Sequence, residues 1–156
     1  MKKTPLLLPA LMLAGCQMLN YQEPSGADTA TVVFTGNEAA QPVVCVPGRG
    51  FKDTKTSLAV KPWDTNAFDE LFSAMRKSEQ VPVTVAADGQ TRIGVVYNER
   101  NDMRRDHCRV AVQFNARAGA RYVAYFTRNE AGQCGLEVRG EEGVQADAVP
   151  VGWDCS

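Results

Sequence analysis

Apolar and polar positions alternate with a period of two through most of the second half of the chain. Val81, Val83 and Val85 fall in one phase, as do Ile93, Val95 and Tyr97. Cys108, Val110, Val112 and Phe114 follow, then Tyr122, Ala124 and Phe126, then Cys134, Leu136 and Val138. A side chain every second residue on one face is the pattern of a half-buried strand. Ala87-Asp88-Gly89-Gln90 predicts the turn of a hairpin between the first two strands. Glu99 to Asp106 reads as a solvated surface connection, Asn115 to Ala120 as a loop around Gly119, and Asn129 to Gln133 as a further turn. A weaker strand is predicted over Val144 to Val149.

The first half is less regular. Thr31 to Phe34 and Val43 to Val46 are short β-branched runs, with Gly36-Asn37-Glu38 as the turn between them. Pro47 to Lys55 reads as a loop, and Ser57 to Val60 as a short strand. Over about 64–78 the period changes. Phe68, Leu71, Phe72 and Met75 stand at i, i+3, i+4 and i+7, one stripe of an amphipathic helix. Asp64, Thr65 or Asn66 caps its start, and Asp69 and Glu70 suit the positive end of its dipole. The predicted fold is mainly β: an antiparallel β-sandwich or small barrel with one amphipathic helix at about 64–78.

The N-terminus follows another rule. Lys2 and Lys3 precede an apolar run from Leu6 to Leu13, which ends in Leu13-Ala14-Gly15-Cys16. A basic start, a short apolar middle and small residues before a cut site make an export signal. The run is far short of the ~20 residues needed to span a bilayer. The tetrad ending in cysteine resembles the lipobox of bacterial lipoproteins. The resemblance implies that residues 1–15 are removed, and that Cys16 is acylated, palmitate included, and becomes the first residue. It also implies outer-membrane sorting, because Gln17 stands where Asp retains enterobacterial lipoproteins on the inner membrane. Residues 16–28 are polar, contain Pro24-Ser25-Gly26, and are expected to tether a single domain over 29–156.

Removing 15 of 156 residues leaves 141, enough for one domain with one core. Loss of Lys2 and Lys3 takes 17 basic residues to 15 against 18 acids, a net charge of −3. That balance argues against a nucleic-acid partner and leaves lipid, rather than overall charge, to hold the chain at a membrane. No cofactor is expected.

With Cys16 acylated, Cys45, Cys108, Cys134 and Cys155 remain. An even set in an exported chain predicts two disulfides. Zinc is disfavoured, since there is no C-x-x-C pair and His107 is the single histidine. Four cysteines allow three pairings. Cys108 is in phase with Val110 and Phe114, and Cys134 with Leu136 and Val138, so both sulfurs are expected to face the core. This favours Cys108–Cys134, with Cys45–Cys155 tying an early strand to the tail.

Catalytic signals are sparse. His107 has no nucleophile motif beside it. Gly48-Arg49-Gly50 lacks phosphate-loop spacing, and Arg104 and Arg105 between Asp102 and Asp106 oppose a calcium site. Glu141-Glu142 is a weak carboxylate pair for hydrolysis. Trp63 and Trp153 suit sugar stacking, although a tail aromatic over a disulfide is the simpler use for Trp153. Candidate partner contacts are the basic residues Arg49, Lys52 and Lys55, with Arg117 and Arg121. Ala116 to Tyr122 resembles the loop S-x-S-G-x-x-Y of lysozyme-inhibiting envelope lipoproteins. It keeps the spacing of Gly119 and Tyr122 and lacks the serine.

The expected function is therefore a non-enzymatic, periplasm-facing envelope lipoprotein that binds another envelope protein or serves as an accessory structural module. The alternatives are a lysozyme-inhibitor-like or glycan- or ligand-binding lipoprotein, and lastly a small hydrolase. Cys16→Ser is predicted to move the protein from the membrane to the soluble fraction on cell fractionation. Retention in the membrane pellet would contradict the lipid anchor.

Overall fold

The computed structural model describes residues 20–59, 77–100, 105–141, 143–144 and 147–155. The lipobox and most of the expected helix lie outside them. The described residues form twelve strands: β1 (Thr29–Gly36), β2 (Gln41–Val46), β3 (Gly50–Asp53), β4 (Ser57–Leu58), β5 (Lys77–Ser78), β6 (Val81–Ala86), β7 (Gln90–Arg100), β8 (Arg105–Asn115), β9 (Arg121–Arg128), β10 (Cys134–Gly140), β11 (Gly143–Val144) and β12 (Val149–Val151). Two five-stranded sheets carry the fold. Sheet A runs β12-β8-β7-β2-β3 and sheet B runs β11-β10-β9-β1-β6. β4 and β5 form a small separate pair.

The inward phase of each strand fills one shared core. Sheet B contributes Val32, Phe34, Val81, Val83, Val85, Tyr122, Ala124, Phe126 and Val138; sheet A contributes Val44, Ile93, Val95, Tyr97, Val112 and Phe114. Aromatic pairs bridge the layers: Phe114 meets Tyr122 edge-on at 5.0 Å, and Tyr97 stacks near Phe126 at 6.3 Å between centroids. The sheets stay open at their edges, so the barrel alternative does not hold.

Several local expectations are corrected. Ala87 to Gln90 does not close a hairpin. β6 pairs with β1 in sheet B, and β7 pairs with β8 and β2 in sheet A. Two inward-facing strands read alike whether they lie in one sheet or face each other, so the pattern could not tell a hairpin from a corner. The corner is held by Thr91, whose hydroxyl donates to the Ala86 carbonyl at 2.9 Å. Glu99 and Asp106 are paired across the β7–β8 ladder rather than placed in a loop. Residues 50–53 of the expected loop form edge strand β3 against β2. Lys77 and Ser78, the last residues of the expected helix, are strand β5. The weak tail strand divides into β11 and β12, which join different sheets. The sheets are also not wholly antiparallel: β1 runs parallel to β9, and β4 to β5.

Both disulfides join distant parts of the fold. Cys108–Cys134 links β8 of sheet A to β10 of sheet B, and Cys45–Cys155 links β2 to the tail, with Cα separations of 6.5 and 5.6 Å. These are the two expected pairings, the first from strand phase and the second as the link from an early strand to the tail. In the chain-entropy view each adds about 3–5 kcal/mol. Beyond Cys45, the tail crosses the outer face of sheet A. Trp153 stacks on Phe51 at 4.4 Å, with the Arg109 guanidinium 5.4 Å from its ring. Gly94 lies beneath: a Cβ there would sit 3.1 Å from the indole and 2.8 Å from the Val110 carbonyl.

Where Gly36 of β1 pairs with Phe126 of β9, a Cβ at Gly36 would lie 2.5 Å from the Phe126 carbonyl oxygen. Gly36→Ala is predicted to destabilise the domain by roughly 1–3 kcal/mol through overpacking, read by urea unfolding. An unchanged midpoint would contradict the close approach of β1 and β9.

Candidate functional site

A two-sheet sandwich has two lateral sides where sheet edges face each other. Here β3 and β6 flank one side, and β8, β10 and the short edge strands flank the other. The two sides are closed by different chemistry and present different surfaces.

On the first side Tyr21 lies across the seam. Its backbone N–H donates to the Asp53 carbonyl of β3 at 2.8 Å, and its hydroxyl donates to the Thr84 carbonyl of β6 at 3.0 Å. Asn20 forms an isolated bridge to Asp53, and the Tyr21 side chain is buried. The expected tether is therefore fixed to the domain at residues 20 and 21. The same contacts blunt the β6 edge. Tyr21 and Thr91 take the carbonyls of Thr84 and Ala86, and Pro82, in phase with them, has no N–H. Arg49, Lys52 and Lys55 all lie along β3 or its flanking turns. Arg49 and Lys55 are exposed and Lys52 is half-buried. Behind them, Gln41, Thr54 and Ser57 form a hydrogen-bonded cluster.

The second side is stapled by Cys108–Cys134 and by the Arg128–Asp106 ion pair at 2.8 Å, which also spans the sheets. The Arg128 guanidinium lies 4.9 Å from the Tyr97 ring centre, and Tyr97 donates to Glu99 at 2.7 Å. A small polar cleft of about 180 Å³ opens here between Asp106, His107, Arg128 and Glu130. The His107 ring meets the Asn98 side chain, and its neighbour Cys108 is in a disulfide. Among the described residues the cleft is lined by charged and polar side chains and by Cys108 of the disulfide.

Outside this staple, β9 is apolar in both phases. Tyr122, Ala124 and Phe126 point inward, while Val123 and Tyr125 point outward and are each 37% exposed. Register places Val123, Arg139 and Val144 in one outward row, in line with Val33, which is buried, and Thr35, Tyr125 and Glu137 in the next. Val144 is 65% exposed, and Arg139 pairs with Glu137 at 2.9 Å within the patch. That pairing, chiefly its hydrogen bond, holds the Glu137 carboxyl below its usual range.

The five basic candidates do not converge. Arg117 lies in the β8–β9 loop and Arg121 opens β9, in a different part of the fold from Arg49, Lys52 and Lys55. The β8–β9 loop is tied down: Gly119 N–H donates to the Thr29 carbonyl, and Arg117 N–H to the Tyr122 hydroxyl. Tyr122 is 3% exposed and holds the loop from the core. Trp63 lies outside the described residues, and the Trp153 ring is engaged by Phe51 and Arg109. Among the described residues no group of three or more His, Cys, Asp or Glu is placed to hold a metal ion.

Sequence reasoning missed both Tyr21 and the outward β9 row. The signals were present: Tyr21 is the one aromatic in a polar stretch, and Val123 and Tyr125 make β9 apolar in both phases. The fold and these surfaces define a class: a two-sheet β-sandwich stapled by disulfides, with one basic and one apolar side. The chain matches no family model, no curated protein and no solved structure.

Burial, helped by Glu23, pushes the Tyr21 phenol up to about 12. Burial and the hydrogen bond to Glu99 push Tyr97 to about 12 as well. Both folded values lie above the unfolded value of about 10. Their stabilising effect is complete below pH 10 and is lost as pH rises through 12. Tyrosine-labelled NMR, assigned with Tyr21→Phe and Tyr97→Phe, is predicted to show both phenols ionising near pH 12. Ionisation of both near pH 10 in the folded protein would contradict their placement.

Proposed function

We propose that this protein is an envelope lipoprotein, anchored through acylated Cys16 in the outer membrane and facing the periplasm, whose sandwich domain binds another envelope protein without catalysing a reaction. The observation that carries this reading is the outward row of β9 to β11. Val123, Tyr125 and Val144 present apolar surface around one ion pair on a rigid sheet. Exposed apolar surface on a stable scaffold is the usual signature of a protein contact. Two disulfides supply that stability in an exported setting. The amphipathic stripe of Phe68, Leu71, Phe72 and Met75 belongs to this reading as the helix connecting β4 and β5. Their parallel pairing supports it, because parallel strands need a crossover of a dozen or more residues, usually helical.

The lysozyme-inhibitor-like alternative gains less. Its loop lacks the serine, and the shared Tyr122 is engaged in the core.

A photo-crosslinking residue at Tyr125 is predicted to give one discrete adduct in cells, lost when Val123→Asp is added. The same probe at Glu130 is predicted to give none. Equal labelling at both positions, or no adduct at Tyr125, would contradict a β9-centred interface.

A further inference from the structure

The proposal that Cys16 carries lipid has a geometric consequence at the other end of the tether. Tyr21 is buried and hydrogen-bonded to both sheets, and Asn20 is bridged to β3. The chain between lipid and the first fixed residue is then at most the stretch from Cys16 to Asn20. Four residue steps span at most about 14 Å. A tether of 16–28, fully free, would reach about three times as far. The domain is therefore held close to the bilayer, and the side that meets it is the one bearing Asn20.

That side is the β3 edge, where Arg49, Lys52 and Lys55 lie within seven residues of one another. None of the three has an ion-pair partner among the described residues. Over residues 49–55 three cations stand with one carboxylate, Asp53; Glu23 lies near Tyr21, and Arg92 and Asp88 line the seam beside it. This edge is locally positive on a chain that is acidic overall. Lysine and arginine near an anionic lipid surface are attracted to it over about a Debye length, ~8–10 Å in physiological salt. A tether of at most about 14 Å lets the edge come within that range.

We infer that the β3 edge of sheet A, with Arg49, Lys52 and Lys55, is a membrane-facing surface that lies on anionic phospholipid headgroups. The β9–β11 row is thereby directed away from the bilayer. The inference rests on the lipoprotein reading above. It also adds to it: charge too weak to hold the protein at a membrane is enough to orient one already tethered there.

The test uses the full-length acylated protein in nanodiscs containing phosphatidylglycerol. A fraction of the lipid carries a nitroxide on its headgroup, and amide broadening is read by NMR. N-terminal mass spectrometry establishes acylation independently. The expected result is strong broadening at residues 49–55 and little at Val123, Tyr125 and Val144. Lys52→Gln with Lys55→Gln, or discs of phosphatidylcholine alone, should reduce that selectivity by about five-fold per lost lysine contact. Equal broadening of both sides, or selectivity insensitive to charge, in a protein of acylated mass would overturn the inference and leave the lipoprotein reading standing. A chain found without acyl mass would overturn both.

Discussion

A sandwich of two open sheets must close two seams, and the structure depends on how each is closed. Unpaired edges expose backbone donors and acceptors that recruit other strands. On one side the link is covalent, through Cys108–Cys134, and the Arg128–Asp106 pair reinforces it. On the other side a single residue, Tyr21, hydrogen-bonds to β3 through its backbone and to β6 through its hydroxyl. A buried hydrogen bond contributes only about 1 kcal/mol net, yet leaving its partners unmet costs more. Tyr21 therefore acts mainly as a fastener: it satisfies an edge and fixes residues 20 and 21 to the domain at β3 and β6.

The two sides differ in what they offer. The Tyr21 side carries Arg49, Lys52 and Lys55 on a short edge strand. The stapled side leads to β9, β10 and β11, where Val123, Tyr125 and Val144 are exposed. A domain with basic residues near Asn20 and Tyr21 and apolar surface on another side is what the proposed lipid-held binding module requires. The polar cleft at His107 is built from groups already committed to Asn98, Arg128 and the disulfide.

Much of the fold was legible in the sequence, because strand phase survives whatever the topology. The inward residues of β6 to β10 are those the alternation selects, and the phases of Cys108 and Cys134 point to their pairing. Topology was not legible in the same way. Val81 to Val85 and Ile93 to Tyr97 read as a hairpin, since period two records which face is buried and not which strand is adjacent. The β1–β9 parallel pairing and the edge strand β3 arise from long-range contacts that no local run encodes. Of the site, Arg49, Lys52 and Lys55 were visible as a basic loop. Their nearness to residues 20 and 21 was not, because it depends on Tyr21 binding residues 32 and 63 positions away.

The central claim is that residues 20 and 21 belong to the folded domain, and amide hydrogen exchange tests it most directly. In the domain beginning at Gln17, the Tyr21 N–H should exchange slowly, with protection approaching that of the β7–β8 ladder, and Tyr21→Ala should also release protection along β6. Exchange of the Tyr21 N–H as fast as that of Ser25 or Gly26, with β6 unaffected by Tyr21→Ala, would contradict the account.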